Sequence, residues 1–103
     1  MLEQHHAAQT FMVLKKDNCN IFKNMRPDDR KSVRKLIIST ILATDMSKHF
    51  GMIGDMNARF DEMVEVPLGS KDNDKLNLAE MLIHTADLCN STKSFDMLYK
   101  WSK

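Results

Sequence analysis

An all-α fold is what this sequence predicts, and three observations carry that expectation. Only three Gly and two Pro interrupt the 103 residues. β-branched alternation is scarce, and Met, Leu, Ile, Lys and Asp recur at the three- and four-residue spacing that places side chains on one helical face. The length allows one domain with a modest core, because small chains bury a smaller share of their surface.

The elements follow in order. Leu2 to Lys15 reads as a first helix, with Leu2, Ala7, Phe11 and Leu14 on its inward stripe, and Asp17-Asn18 ends it as a turn. Cys19 to Met25 is a short apolar linker anchored by Ile21 and Phe22. The clearest start comes next. Pro27 suits a first helical position, and Asp28 and Asp29 put negative charge where exposed amides and the helix dipole favour it. The stripe runs through Val33, Leu36, Ile37, Thr40, Ile41, Ala43 and Thr44, then less regularly through Met56, Phe60 and Met63, with a bend or break expected near Gly51. Pro67 to Ser70 and the polar Lys71 to Asp74 form a loop. Leu76, Ala79, Met81, Leu82, Thr85, Ala86 and Cys89 mark another helix. Asn90 to Ser94 is a second loop, with Ser94 placed to cap a helix that starts at Phe95.

These helices ask for a larger body than the chain itself offers. From Asp28 to Glu65, about 38 residues rising about 1.5 Å each span roughly 57 Å, whereas a compact globule of about 100 residues has a radius of gyration near 13 Å. The last stripe, Phe95, Leu98, Tyr99 and Trp101, still needs cover where the sequence stops, so further chain is expected on that side.

Charge excludes some functions. Lys plus Arg number 15 against 14 Asp plus Glu, which gives no field strong enough to imply a nucleic acid or an anionic membrane as partner. Cys19 and Cys89 lack metal-ribbon or CxxC spacing, so reduced thiols in a cytoplasmic setting are the expectation. No run approaches the roughly 18 apolar residues that suggest a membrane span. Nor is there a Gly-rich phosphate loop, a GxSxG elbow or an HExxH helix.

Ionisable residues set within apolar stripes are the informative ones, because burying an unpaired charge is costly. Glu3, His5 and His6 crowd the first turn, where a solvated helix start competes with a site role. Asp45 precedes His49 by four residues, a spacing that puts both on one helical face as a hydrogen-bonded pair that orients a bend or serves a site. Asp87 closes an otherwise apolar helix, where the dipole disfavours an anion; either a metal or a brace for the following loop would accommodate it. His84 on the same helix reads first as a hydrogen-bonded core histidine. These clusters do not by themselves close a metal site, since a dinuclear hydrolase needs several ligands converging from different helices.

Three segments, in order, add more: Met1-Leu2-Glu3-Gln4-His5-His6, Ala43-Thr44-Asp45-Met46-Ser47-Lys48-His49, and His84-Thr85-Ala86-Asp87-Leu88-Cys89-Asn90. Together with Asn18 to Phe22, Arg34-Lys35 and Trp101, they resemble the second half of the catalytic domain of class I 3',5'-cyclic nucleotide phosphodiesterases, over essentially the whole chain. The resemblance implies that the chain is a multi-helix fragment of a larger all-α catalytic domain that hydrolyses cAMP or cGMP to the 5'-monophosphate. Two divalent cations, Zn2+ with Mg2+ or Mn2+, are implied as cofactors; they would lower the pKa of a bound water and neutralise phosphoryl charge. The implied partners are the cyclic nucleotide and the rest of the catalytic domain.

Carried over by position, Asp87 matches the zinc ligand, and Glu3 matches the acidic residue that orients the general-acid His. Met46, Leu88 and Asn90 match residues of the substrate pocket, with Asn90 as a polar contact to the purine. Asp45 and His49 match positions around that pocket with a supporting role. Ser91 stands where many members have Pro, Gln4 replaces a more usual Asn, and Tyr99 lies one position from a pocket Tyr; these departures leave base preference open. The HNxxH and HD segments would precede Met1, which is then an internal residue, and the Gln and aromatic clamp for the purine would follow Lys103. The chain alone is therefore expected to be inactive. The competing reading is a non-enzymatic helical interaction module with Met-rich faces.

Overall fold

The computed structural model describes residues 2–102. It is all-α, with five helices and two short 3-10 turns. Helix α1 spans Leu2–Leu14, and Asn20 closes the following linker by accepting the Phe22 amide on its side-chain oxygen at 3.2 Å. α2 spans Pro27–Leu42, with Pro27 at its first turn and Asp28 and Asp29 beside the exposed amides, as the sequence predicts. α1 packs on α2, and the Arg34 guanidinium lies over the Phe11 ring at 4.2 Å.

α2 ends earlier than expected, and the reason is Asp45 rather than glycine. The backbone turns extended at Asp45 (φ −65°, ψ 117°), and its carboxylate accepts the Ser47 N–H at 2.9 Å, capping a 3-10 turn at Met46–Lys48. α3 then runs His49–Glu62, straight through Gly51 and Gly54. The bend expected near Gly51 is thus a full break six residues earlier. A cap supplied by a side chain overrides the weak helix preference of glycine, which an exposed helix tolerates.

α4 spans Asp74–Asp87 and packs against α2, and a second 3-10 turn, Cys89–Thr92, leads to α5, Phe95–Ser102. The Ser94 carbonyl accepts the Leu98 amide at 2.9 Å, which puts Ser94 at the start of α5, where the sequence placed its cap.

Two polar clamps join α3 to α4. At one end, Arg59 donates from Nε and Nη2 to the two oxygens of Asp74, at 2.8 Å each, and to the Val66 and Pro67 carbonyls. Asp74 also accepts the Gly69 and Lys71 amides, at 2.8 and 3.1 Å, which fixes the loop around Gly69, whose φ of +97° suits glycine alone. At the other end His84 of α4 meets His49 of α3.

The core is thin. Among the described residues the buried apolar side chains are Ala7 and Ala43, and the buried polar ones are Asp74 and His84. The radius of gyration is 16.6 Å, against the ~13 Å of a compact chain this long. Phe50, Val64, Ile21 and Phe95 are each more than 70% exposed. The helices form as their periodicity dictates, but within these residues their stripes find little to pack against.

Candidate functional site

The described residues of the three sequence segments lie toward one end of α2. α1 runs antiparallel to α2, since Gln4 shares a surface groove with Leu42 while Lys15 lines it beside Arg34. The first turn of α1, with half-buried Glu3, therefore lies at the end of α2 that leads into Ala43–Met46. α4 brings its own C-terminal end to the same place, because His84 Nδ1 lies 2.9 Å from the Ala43 carbonyl.

That contact fixes a tautomer. A carbonyl only accepts, so His84 Nδ1 carries the proton; a neutral ring then leaves Nε2 as the acceptor. With His84 neutral, His49 Nδ1, 2.7 Å from His84 Nε2, is the donor of that pair. His84 is 2% exposed and thus satisfied on both nitrogens, as the core-histidine reading has it. The Asp45–His49 pairing expected from their spacing is not made. The helix is broken between them, so Asp45 turns to the Ser47 amide and His49 to His84. The Ser47 N–H is also the main reason the Asp45 carboxyl titrates below its ordinary value.

The remaining positions fall around this junction. Met46 is half exposed just after Asp45. Asp87 is the last residue of α4 and is exposed, and Leu88 follows as its cap. Asn90, in the 3-10 turn, has its side-chain oxygen shut off from solvent with no hydrogen-bond donor among the described residues. A buried acceptor in that condition suits an N–H group brought by a ligand or by another part of the protein.

Among the described residues no three His, Cys, Asp or Glu side chains converge as donors. Asp87 offers one hard oxygen donor suited to a divalent cation; a complete ligand set needs donors other than these residues. A separate cleft between α3 and α4, lined by Met52, Met56, Leu78 and Met81 with Asp55 and Glu80, contains none of the predicted site residues. Burial pushes the Glu80 carboxyl up there. Met1, the first residue of the first segment, lies outside the described residues.

Residues 1–103 match the family model described as 3'5'-cyclic nucleotide phosphodiesterase. The chain belongs to that family. Its relatives include a probable 3',5'-cyclic-AMP phosphodiesterase pde-4 of Caenorhabditis elegans, 36% identical over 107 residues. The 3',5'-cyclic-AMP phosphodiesterase 4C proteins of Mus musculus and Rattus norvegicus are 34% and 33% identical. Each comparison covers 100% of this chain and 16% of the worm and mouse proteins or 20% of the rat one. The family assignment thus agrees with the resemblance read from the three segments.

Sequence reasoning missed two contacts, one at the site and one at the far end of α3 and α4. The Arg59–Asp74 clamp joins residues 15 apart, with only an acidic first turn as its signal, and the His84–Ala43 bond joins residues 41 apart through a backbone carbonyl that no motif marks.

Proposed function

We propose that the intact protein containing these residues is a metal-dependent phosphodiesterase that hydrolyses a 3',5'-cyclic nucleotide, cAMP in the first place, to the 5'-monophosphate. The observation that carries this reading is the match of the whole chain to the family, with relatives named for cyclic AMP. In it Asp87 is one ligand of a two-cation site, Zn2+ with Mg2+ or Mn2+, completed by donors outside these residues. Glu3 orients the general acid. Met46, Leu88 and Asn90 form one wall of the substrate pocket, and the solvent-free acceptor of Asn90 favours a purine amino group as its partner. Asp45 and His49 shape the wall without touching substrate. The setting is the cytoplasmic side, and the rest of the catalytic domain is the packing partner of the exposed stripes.

The test is turnover of cAMP and cGMP by the intact protein, assayed with and without added divalent cations. Hydrolysis that is lost on chelation, restored by metal and abolished by Asp87→Asn is expected, while the 103-residue chain alone stays inactive. An intact protein that folds but hydrolyses neither nucleotide under any metal condition would favour the interaction-module reading instead.

A further inference from the structure

His84 stands one turn before Asp87 on α4, is the most deeply buried side chain among the described residues, and is used by neither metal nor substrate in the reading above. Its two bonds reach different elements: Nδ1 to the Ala43 carbonyl at the end of α2, and Nε2 to His49 at the start of α3. Between those two anchors lies the Asp45–Lys48 segment that carries Met46. We infer that His84 is a positioning residue that sets the Asp87-bearing end of α4 against the Met46-bearing junction, through a single tautomer protonated on Nδ1. The inference deepens the proposed function and rests on it.

The geometry explains why a histidine is needed. The site requires a donor facing a carbonyl and, on the opposite edge of the same rigid ring, an acceptor facing His49. A neutral imidazole supplies both without a rotatable bond between them. This two-sided bond ties the helix end to both flanks of the junction, Ala43 at the end of α2 and His49 at the start of α3. Residues 84 and 87 share a helical face, so a rotation or shift of α4 that breaks the Ala43 bond carries Asp87 with it.

The test uses the intact protein. His84→Leu fills much of the same space but offers neither nitrogen, whereas His84→Asn places an amide N–H near the position of Nδ1 and keeps a donor for Ala43. With folding verified by circular dichroism, zinc affinity is measured by competition with a chelator and turnover is measured alongside. In His84→Leu, zinc affinity and kcat/KM each fall about tenfold or more, in the range seen when groups that orient a metal ligand are removed. His84→Asn recovers most of the loss. A merely structural role would lower the melting temperature of both variants and leave zinc affinity per folded molecule unchanged, which would overturn the inference, as would equal affinity losses in both.

Long-range 1H–15N correlation spectra of the wild-type protein give a readout that needs no variant and decides even if His84→Leu does not fold. The Nδ1–H form is expected for His84, and the Nε2–H form would overturn the inference. Failure of the functional reading looks different: the wild-type protein would bind no zinc at all, whatever the tautomer of His84.

Discussion

Asp74→Asn probes the α3–α4 clamp most directly. The carboxylate accepts from Arg59 Nε and Nη2 and from the Gly69 and Lys71 amides, all within 3.1 Å. The amide replacement keeps the shape, but it removes the charge and turns one acceptor into a donor that faces the guanidinium. The Gly69 and Lys71 amides then lose a charge-assisted acceptor, a class of bond stronger than its neutral counterpart by a margin of tenfold or more in an opening equilibrium, so about a 10- to 100-fold rise in their exchange rate is expected. Hydrogen exchange followed by mass spectrometry on peptides covering residues 66–74 reads that change, with α1 peptides as the unaffected control. Unchanged protection at Gly69 and Lys71 would refute the claim that Asp74 holds the loop.

The same carboxylate makes a pH prediction with a definite sign. The Arg59 hydrogen bonds hold Asp74 well below the usual carboxylate range; desolvation opposes this, and the Lys71 and Gly69 amides add to the lowering. A folded pKa below the unfolded one means that the stabilisation is fully present above the ordinary aspartate value of about 3.9 and is lost as pH falls through and below it. The difference in loop protection between wild type and Asp74→Asn should therefore be constant from pH 7 to about 5 and shrink toward pH 2.

Three further outcomes are expected. Asp45→Ala removes the cap on the Ser47 amide, so it should lower the melting temperature and loosen residues 45–49 in hydrogen exchange; Asp45→Asn, which keeps an acceptor oxygen, should spare most of that loss. Glu80→Gln should raise the melting temperature at neutral pH, because burial disfavours the charged form. With the folded pKa raised, the penalty is complete above that pKa and absent below the unfolded value of about 4.3, so the gain should vanish in scans at about pH 4. Gly51→Ala and Gly54→Ala lie inside α3, where an added Cβ meets nothing within 4 Å, so each should stabilise by roughly 0.5–1 kcal/mol in thermal or denaturant unfolding. A loss at Gly51 would restore the bend that the sequence pattern suggested there.

What the sequence made legible was local. Helices α1, α4 and α5 and the start of α2 lie where spacing, Pro27, the two aspartates after it and Ser94 placed them, because those signals act within one or two turns. The break at Asp45 escaped that reading, since Ala43, Thr44 and Met46 all suit a helix and only the turn of the Asp45 side chain onto Ser47 stops it. The Arg59–Asp74 and His49–His84 clamps escaped as well, because partners brought together by chain folding leave no periodicity. The inward stripes form as patterns but find little cover within these residues, as expected of helices that ask for a larger body: Leu2 and Leu36 stay exposed, and burial reaches only Ala7 and Ala43 among the apolar side chains described.

That lack of cover extends to the site. Asp87 sits at the negative end of the α4 dipole, exposed, where a carboxylate is electrostatically disfavoured. Asn90, three residues on, holds an acceptor shut off from solvent without a donor. Both groups gain from a positively polarised partner that these residues do not supply: a cation for the one, an N–H for the other. They lie at the same helix end that His84 ties to Ala43 and His49. His84 is buried there with both ring nitrogens hydrogen-bonded, which is why the His84 variants bear on both the architecture and the chemistry proposed for it.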